Sequence, residues 1–270
     1  MTNDEFARAV QRPADQIDLA LAALLFARDA YPELDPQLYL NQLDEWAADA
    51  RSAVTQAADP IESLNEFLFD ELRFIGNRIA YHDPLNSYLN KAIDRRVGLP
   101  ITLSVIYLEI ARRLSVPVDG IGLPGHFIVR HRGPLGVRYI DPFHQGRTLT
   151  AVDCAQLVSE LSNGQLTLQP AMLEPVSARH ILVRMLNNLK NAQVQQGNFD
   201  EATDAVERLI DLEPEEAAHE RDLGLLHYQQ NHYGAALRHL QRYLTMDKAE
   251  VSDPIREVIA SCQINLARLN

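Results

Sequence analysis

The stretch that decides the fold reads PGHFIVRHRGPLGVRYIDPF, from Pro124 to Phe143. Two apolar runs, 126–131 and 137–141, lie on either side of a short segment with two glycines and a proline. Such runs around a Gly/Pro turn predict an antiparallel β-hairpin. The hairpin begins with a histidine, His126, and ends with an aspartate, Asp141.

A strongly apolar segment precedes the hairpin. Gly98-Leu99-Pro100 leads into residues 101–114, whose apolar residues predict a buried helix. Pro100 would occupy the first helical turn, where the missing N–H of proline costs no hydrogen bond. After the helix, residues 116–118 and Gly120-Ile121-Gly122 predict a short strand and a turn. A helix followed by an antiparallel hairpin indicates an α+β fold.

The chain before about Phe74 predicts three amphipathic helices, because its apolar residues recur at helical spacing. Asp15 is predicted to cap the first helix. Asp35-Pro36 and Asp59-Pro60 open the second and third, with proline at a tolerated first-turn position. Apolar stripes of this kind are typical of core packing and point to no chemistry.

From about Ala178 the chain predicts helices again, with an internal repeat. Residues 197–202 align with residues 231–236 at an offset of 34 positions, the period of the tetratricopeptide repeat. Stacked repeats form a concave surface, and Tyr228 and Tyr233 are predicted to bind a protein or peptide partner there. The alternative is that these helices serve only as scaffold. The predicted domains are residues 1–177 and 178–270.

Composition narrows the class of protein. The 270 residues carry a net charge of −12, which disfavours nucleic acid as a partner. The longest apolar run has about nine residues, too few to cross a bilayer, and the first residues are acidic, unlike a secretory signal. Two cysteines make no disulfide framework. The sequence therefore predicts a cytoplasmic protein without membrane contact. It contains no signal for either a monomer or an oligomer.

His126 and Asp141 are the candidate catalytic pair. Side chains alternate along a strand, and a hairpin centred near Pro134 would bring position 126 opposite about position 141. A carboxylate that binds the imidazole Nδ1 orients the ring and raises the basicity of its other nitrogen. The alternative is a structural hydrogen bond that joins the two ends of the hairpin.

Four motifs, in order along the chain, carry a family resemblance. They are NSYLN (86–90), RRVGLPITLS (95–104), PGHF (124–127) and IDPF (140–143). Together with the repeat-like helices they resemble the bacterial SirB-type family, which has a transglutaminase-like domain and C-terminal tetratricopeptide repeats. The resemblance implies a papain-like α+β core with a small antiparallel sheet and a helical N-terminal region, followed by an all-α region. It also implies that active relatives carry cysteine at a helix start, then histidine and aspartate on successive strands.

The histidine and aspartate positions match His126 and Asp141, but the cysteine does not. Aligning the helix ends places the expected nucleophile on Pro100, which has no reactive side chain. Cys154 follows both the histidine and the aspartate in the chain, and Cys262 lies in the last predicted helix. Since acyl transfer by sulfur needs a low-pKa thiol beside a base, the favoured interpretation is a degenerate active site retained for binding, centred on His126, Asp141 and Pro100.

Other chemistry stays open as an alternative. Ser104 is a weaker candidate nucleophile, about one helical turn past Pro100, although capping or back-bonding is the ordinary role of such a hydroxyl. Asn86, Asn90 and Arg95 are candidate binding residues that could line a pocket or simply satisfy backbone groups. No cofactor is predicted. No metal is predicted either, because zinc-binding spacings are absent and His126 and His131 fall on opposite faces of a strand.

Three classes of function follow. The first is a non-catalytic module that binds a protein or peptide, in a regulatory role. The second is a hydrolase or acyl-transfer enzyme that uses His126 and Asp141 without a cysteine, alone or with Ser104. The third is a structural subunit of a stable assembly.

Overall fold

The computed structural model describes residues 5–134, 136–246 and 253–269. The chain forms two compact units, which we call the central unit (Arg12–Met185) and the terminal unit (Met1–Gln11 with Leu186–Asn270). The division falls inside one long helix, between Met185 and Leu186. The predicted domain boundary at 177 and 178 stays a prediction.

The elements of the central unit alternate between helices and short strands. In chain order, after α1 (Glu5–Val10), they are α2 (Leu19–Ala27), α3 (Pro36–Gln56), α4 (Pro60–Asn65), β1 (Ile75–Gly76), α5 (Leu89–Arg95), β2 (Val97–Gly98), α6 (Pro100–Arg113), β3 (Val118–Leu123), β4 (His126–Gly133), β5 (Gly136–Asp141), β6 (Arg147–Leu149) and α7 (Ala151–Leu161). Short 3₁₀ turns and one π-helical segment, Glu66–Glu71, join them.

Aspartate caps open the N-terminal helices. Helices α3 and α4 begin at Asp35-Pro36 and Asp59-Pro60 as predicted, and the two aspartates accept hydrogen bonds from the backbone N–H groups of Gln37 and Ile61 at 2.9 and 3.0 Å. The predicted cap of α2, Asp15, was the wrong aspartate. Its cap is Asp18, which accepts from Leu21 N at 3.0 Å, whereas Asp15 lies in a separate 3₁₀ turn.

Helix α6 forms the centre of the core, and eleven of its fourteen residues are buried. Leu99 precedes it in extended conformation, and Pro100 takes the first helical position as predicted. β4 and β3 contact this helix. The N-terminal end of α6 therefore lies in the same unit as the strand that carries His126.

Four antiparallel strands form the main sheet, in the order β3-β4-β5-β6. The hairpin between β4 and β5 is present and turns between Gly133 and Gly136. The expectation of a turn at residues 120–122 was wrong, because these residues lie inside β3. Their glycines allow close packing: a Cβ on Gly120 would lie 3.0 Å from Cζ of Phe127.

In the described part of the chain five helices follow α7, beginning with α8, which contains the division between the units. They are α8 (Ala178–Gln196), α9 (Phe199–Leu212), α10 (Ala217–Gln229), α11 (Tyr233–Met246) and α12 (Asp253–Leu269). Consecutive helices from α9 to α12 pack against each other. Gly224 of α10 is closely covered by α11, since a Cβ there would lie 2.5 Å from Cγ of Leu240. This close packing is typical of helix hairpins in repeat proteins.

The predicted fold class is confirmed: a helical N-terminal region, a small antiparallel sheet and a helical C-terminal region. Among the residues that the structure describes, none of the helices combines the length and apolar character needed to cross a membrane.

Candidate functional site

The two predicted catalytic residues meet in the structure. Nε2 of His126 lies 2.9 Å from Oδ2 of Asp141, and the side chains are 6% and 2% exposed. His126 is the first residue of β4 and Asp141 the last of β5. The contact therefore joins the two strands where the hairpin opens towards α6.

The pairing register differs from the expected one by two residues. Val129 pairs with Ile140, so an extension of the ladder would place position 143, not 141, opposite His126. A shift of two residues leaves every side chain on its original face, and the pair therefore still forms. The ring nitrogen differs from the predicted one as well, because Nε2 and not Nδ1 contacts the carboxylate, and Nδ1 makes no hydrogen bond to any described residue.

Asp141 also binds a second histidine. Nδ1 of His144 lies 2.7 Å from the same Oδ2, and Oδ1 accepts the backbone N–H groups of Phe143 and His144 at 3.1 and 3.3 Å. Burial acts to raise the pKa of Asp141, but the hydrogen bonds and charges of His126 and His144 outweigh it and hold this pKa far below its usual range. Asp141 is thus an ionised carboxylate within the fold.

Phe143 and Tyr81 extend a line of aromatic contacts from His126. The ring of Phe143 is 6.0 Å from His126 and 6.0 Å from Tyr81, in edge-to-face arrangement. Phe143 in turn packs on β1, where a Cβ on Gly76 would lie 2.5 Å from its Cδ2 atom. A cavity of about 160 Å³ reaches Asp141 and His144 from the side of α7.

Both thiols are buried and neither forms a disulfide. Cys154 is fully buried in an apolar cluster with Ile121 and Leu149. Burial, aided by the charges of Asp153 and Asp141, raises its pKa to about 11. Cys262 belongs to the terminal unit and is also buried and unpaired.

Ser104 does not complete a triad with the pair. Its Oγ is buried and has no hydrogen-bond partner among the described residues, so it is not bonded to His126. Thr102, two positions earlier, is buried as well, and its hydroxyl donates to the carbonyl oxygen of Asn86 at 2.8 Å. The hydroxyls at the start of α6 are therefore placed in the interior of the fold.

The predicted binding residues Asn86, Asn90 and Arg95 take different positions. Asn86 is fully buried, and its amide donates to the carbonyl oxygens of Ala80 and Tyr81 at 2.7 and 3.2 Å. Asn90 is buried with its Oδ1 atom unbonded, and Arg95 pairs with Asp83 at 3.0 Å. Asn86 thus holds the loop that carries Tyr81 beside Phe143.

Tyr228 and Tyr233, the predicted partner-binding residues of the repeats, lie together in the terminal unit. Their rings are 6.0 Å apart. The hydroxyl of Tyr228 lies 2.9 Å from Oγ of Ser261 in α12, and the hydroxyl of Tyr233 donates to Asn231 at 2.7 Å. Both side chains remain partly exposed.

The structure brings together His126, Asp141 and His144, three residues whose type suits zinc, although the sequence predicted no metal. One donor atom each from His126, Asp141 and His144 lie within 4.8 Å of one another, and two imidazoles with a carboxylate suit several transition metals. The contacts are those of a hydrogen-bonded trio, however: 2.9 and 2.7 Å are shorter than the roughly 3.3 Å between neighbouring ligands around tetrahedral zinc. His131 is not part of the set, since its Nδ1 binds the carbonyl oxygen of Pro117.

Three residues of the site were not predicted from the sequence to belong to it. His144 reaches Asp141 because a 3₁₀ turn, Pro142–His144, follows β5 directly. Tyr81 contacts Phe143 from a loop without periodic signal. Arg184 of α8 donates to the carbonyl oxygen of His126 at 2.6 Å from 58 positions away. Only the first had a usable signal, the proline that opens the turn.

Comparison with known families supports this architecture. Residues 37–187 match the model of the transglutaminase-like superfamily, and residues 189–262 match a tetratricopeptide repeat model. A UPF0162 protein of Xylella fastidiosa strain Temecula1 is 38% identical over 238 residues, which cover 86% of this chain and 85% of the relative.

Two further relatives show how far the similarity extends. A UPF0162 protein of Pseudomonas aeruginosa is 31% identical over 207 residues, 76% of each chain. Human F-box only protein 21 is 32% identical over 160 residues, which cover 56% of this chain but 24% of that protein. The chain therefore belongs to the transglutaminase-like superfamily and to the UPF0162 family, with tetratricopeptide repeats after its transglutaminase-like region.

Proposed function

We propose that this protein is a protein- or peptide-binding module, regulatory in role, that retains the transglutaminase-like fold without a catalytic thiol. The observation that carries the proposal is the state of the two cysteines. Cys154 is sealed in an apolar cluster and Cys262 belongs to the other unit, so His126 has no sulfur to activate. The tetratricopeptide match supports a function in protein binding.

The position of Pro100 supports the same proposal. It begins α6, the helix that the family resemblance aligns with the nucleophile helix of active relatives. Proline has no side-chain proton to give up and cannot attack a carbonyl. We include in the proposal the SirB-type organisation that the motifs resemble, a cytoplasmic location and a degenerate cleft at His126, Asp141 and Pro100.

An activity test separates the binding module from an enzyme. The full chain and its His126→Ala variant are incubated with panels of acyl, amide and ester substrates, and turnover is followed by mass spectrometry. We expect no turnover that depends on His126. Robust hydrolysis that is lost in the variant would overturn the proposal.

A binding test addresses the repeats. Partners captured by the full chain are identified and their affinity is measured for the protein and for its Tyr233→Ala variant. We expect weaker binding in the variant, because Tyr233 is partly exposed on the repeats. The variant Val152→Ala, at an exposed position of α7 in the central unit, is the matched control and should bind normally.

One observation favours the second candidate, an enzyme without a cysteine. His126 and Asp141 form a buried hydrogen-bonded pair whose carboxylate is ionised, which is the arrangement that orients a general base. Such an enzyme would use Nδ1 of His126 to activate water. The version with Ser104 as nucleophile is disfavoured because Ser104 Oγ makes no hydrogen bond within the described part of the chain.

A further inference from the structure

Arg184 differs from several arginines of the central unit, which contact carboxylates. Arg95, Arg113, Arg130 and Arg138 each contact a carboxylate, from Asp83, Glu109, Asp119 and Asp59 respectively. Arg184 forms no ion pair with any described residue. Its guanidinium lies 5.6 Å from the ring of Phe127, and one N–H donates to the carbonyl oxygen of His126.

The remaining donors of Arg184 are available to a ligand. A guanidinium has five N–H donors, and only the bond to His126 occupies them in the described structure. One nitrogen each of Arg95, Arg130 and Arg138 is buried without a hydrogen-bond partner among the described residues. No nitrogen of Arg184 is in that state. A half-buried cation without a counter-ion retains electrostatic attraction that an incoming anion can use.

Tyr81 supplies a second donor, and ring contacts through Phe143 link it to His126, whose carbonyl oxygen Arg184 binds. Burial raises the pKa of its hydroxyl and the nearby positive charge of Arg184 lowers it, so the two groups act on each other while the phenol stays neutral at pH 7. The Tyr81 hydroxyl has no hydrogen-bond partner among the described residues. The ring contacts Phe143, which contacts His126.

The loop that carries Tyr81 is held in place before any ligand arrives. Oδ1 of Asn77 accepts the backbone N–H of Ala80 at 2.9 Å, and the Asn86 amide donates to the carbonyl oxygens of Ala80 and Tyr81. Asn77 also donates to Asn86 at 3.0 Å. A pre-organised donor loses little entropy when it binds.

From these contacts we propose that Arg184 and Tyr81 form a carboxylate-binding subsite beside the His126–Asp141 pair. This inference rests on the proposed function and specifies its ligand: a peptide that presents a carboxylate, from its C-terminus or from an acidic side chain. A single negative charge matches one guanidinium and one neutral phenol. A dianionic phosphate fits less well, because the ionised Asp141 lies next to His126.

Weak binding of small carboxylates tests the subsite directly. Arginine side-chain N–H signals of the full-length protein are followed by NMR during titration with N-acetylglycine, which has a terminal carboxylate, and with N-acetylglutamic acid α-amide, which has only a side-chain carboxylate. N-acetylglycinamide is the neutral control and inorganic phosphate the competing anion. We expect saturable shifts of the Arg184 signal with the acids and none with the amide.

Variants assign the binding to the two donors. Arg184→Gln should weaken binding of the acids at least about tenfold, because a charged hydrogen bond is lost, and Tyr81→Phe about two- to tenfold, because a neutral one is lost. Arg78→Gln, an exposed arginine three positions from Tyr81, should leave the affinity unchanged. Tyr81→Phe keeps the ring, so it remains informative if Arg184→Gln fails to fold.

Several results would overturn the inference: equal binding of the amide, unchanged affinity in both variants, or tighter binding of phosphate than of either acid. The tighter of the two acids would identify the source of the carboxylate. Turnover that depends on His126 would defeat the binding-module proposal but leave this subsite in place, so the two failures are distinguishable.

Discussion

At the scale of single residues, Asp141 organises the candidate site. It accepts two imidazoles and two backbone N–H groups while only 2% of it is exposed. A buried carboxylate with this many donors is ionised, and loss of its charge leaves the donors unsatisfied.

Replacement of this aspartate tests its contribution to stability. Asp141→Asn should lower the free energy of unfolding at pH 7 by roughly 1–3 kcal/mol, the usual cost of unsatisfied buried donors. The folded pKa lies below the unfolded one, so the carboxylate stabilises the fold above the unfolded pKa, and this contribution fades as the pH falls through about 4 towards the folded pKa. Urea unfolding of both proteins should therefore show a gap that narrows in acid. A gap that widens in acid would contradict the assignment.

The reactivity of Cys154 is a second residue-scale prediction. With a pKa of about 11 and no exposure, this thiol should react with a disulfide reagent at pH 8 far more slowly in the folded protein than in urea. The rate is read from absorbance. Rapid labelling of Cys154 in the folded state would show that the thiol is accessible after all.

A thiol introduced at the start of α6 tests the alignment of Pro100 with the lost nucleophile. Pro100→Cys should create a sulfur at a helix N-terminus, where the pKa of a thiol is lowered, and the family alignment implies that this sulfur would face His126. We expect alkylation that is faster than that of Cys154 and that slows when His126→Ala is added. Alkylation independent of His126 would place the ancestral nucleophile elsewhere.

At the scale of elements, Gly224 shows how the repeat helices approach each other. A Cβ at this position would lie 2.5 Å from Cγ of Leu240, whereas at Gly234 the nearest atom would be 3.8 Å away, at the end of a flexible arginine. The two glycines thus offer a matched pair, one in a tight contact and one in an open place.

Alanine substitutions at the two positions should have opposite effects on the stability of the protein. Gly224→Ala should destabilise the protein by about 1–3 kcal/mol through overpacking. Gly234→Ala should stabilise it by up to about 1 kcal/mol, because alanine favours the helix. Thermal unfolding of the two variants is the measurement, and equal shifts would mean that the α10–α11 contact is looser than described.

Elements also show what the sequence could predict. The sequence predicted the helix starts at Asp35-Pro36 and Asp59-Pro60, the proline at the start of α6 and the β4–β5 hairpin, because each depends on local residue chemistry. The His126–Asp141 contact was predictable despite a register error of two, since an even shift preserves the face of a strand. The contribution of Arg184 was not, because α8 reaches β4 from far along the chain.

At the scale of the whole molecule, charge limits the choice of partner. The chain carries 37 acidic against 25 basic residues, and five arginines of the central unit contact carboxylates of the same unit. Acidic side chains therefore outnumber the cations that could neutralise phosphates.

This charge balance predicts that the protein does not bind nucleic acid. Electrophoresis of labelled duplex DNA and of RNA with the full chain should show no shift at about 0.15 M salt, near the physiological range. A shift that weakens steeply with added salt would be the signature of phosphate contacts and would reject the prediction.

The path of α8 matters to anyone who plans to express part of this gene. Within the central unit its first turns lie against the sheet: Ile181 approaches Gly120, and Arg184 covers Phe127 while it holds the His126 carbonyl. A fragment that ends at residue 177 would expose to solvent the parts of β3 and β4 that α8 covers. The strand that carries His126 would also lose the hydrogen bond from Arg184 to its carbonyl oxygen. Dissection by truncation would then report on a damaged sheet, and inactivity of such a piece would reveal nothing about the intact protein.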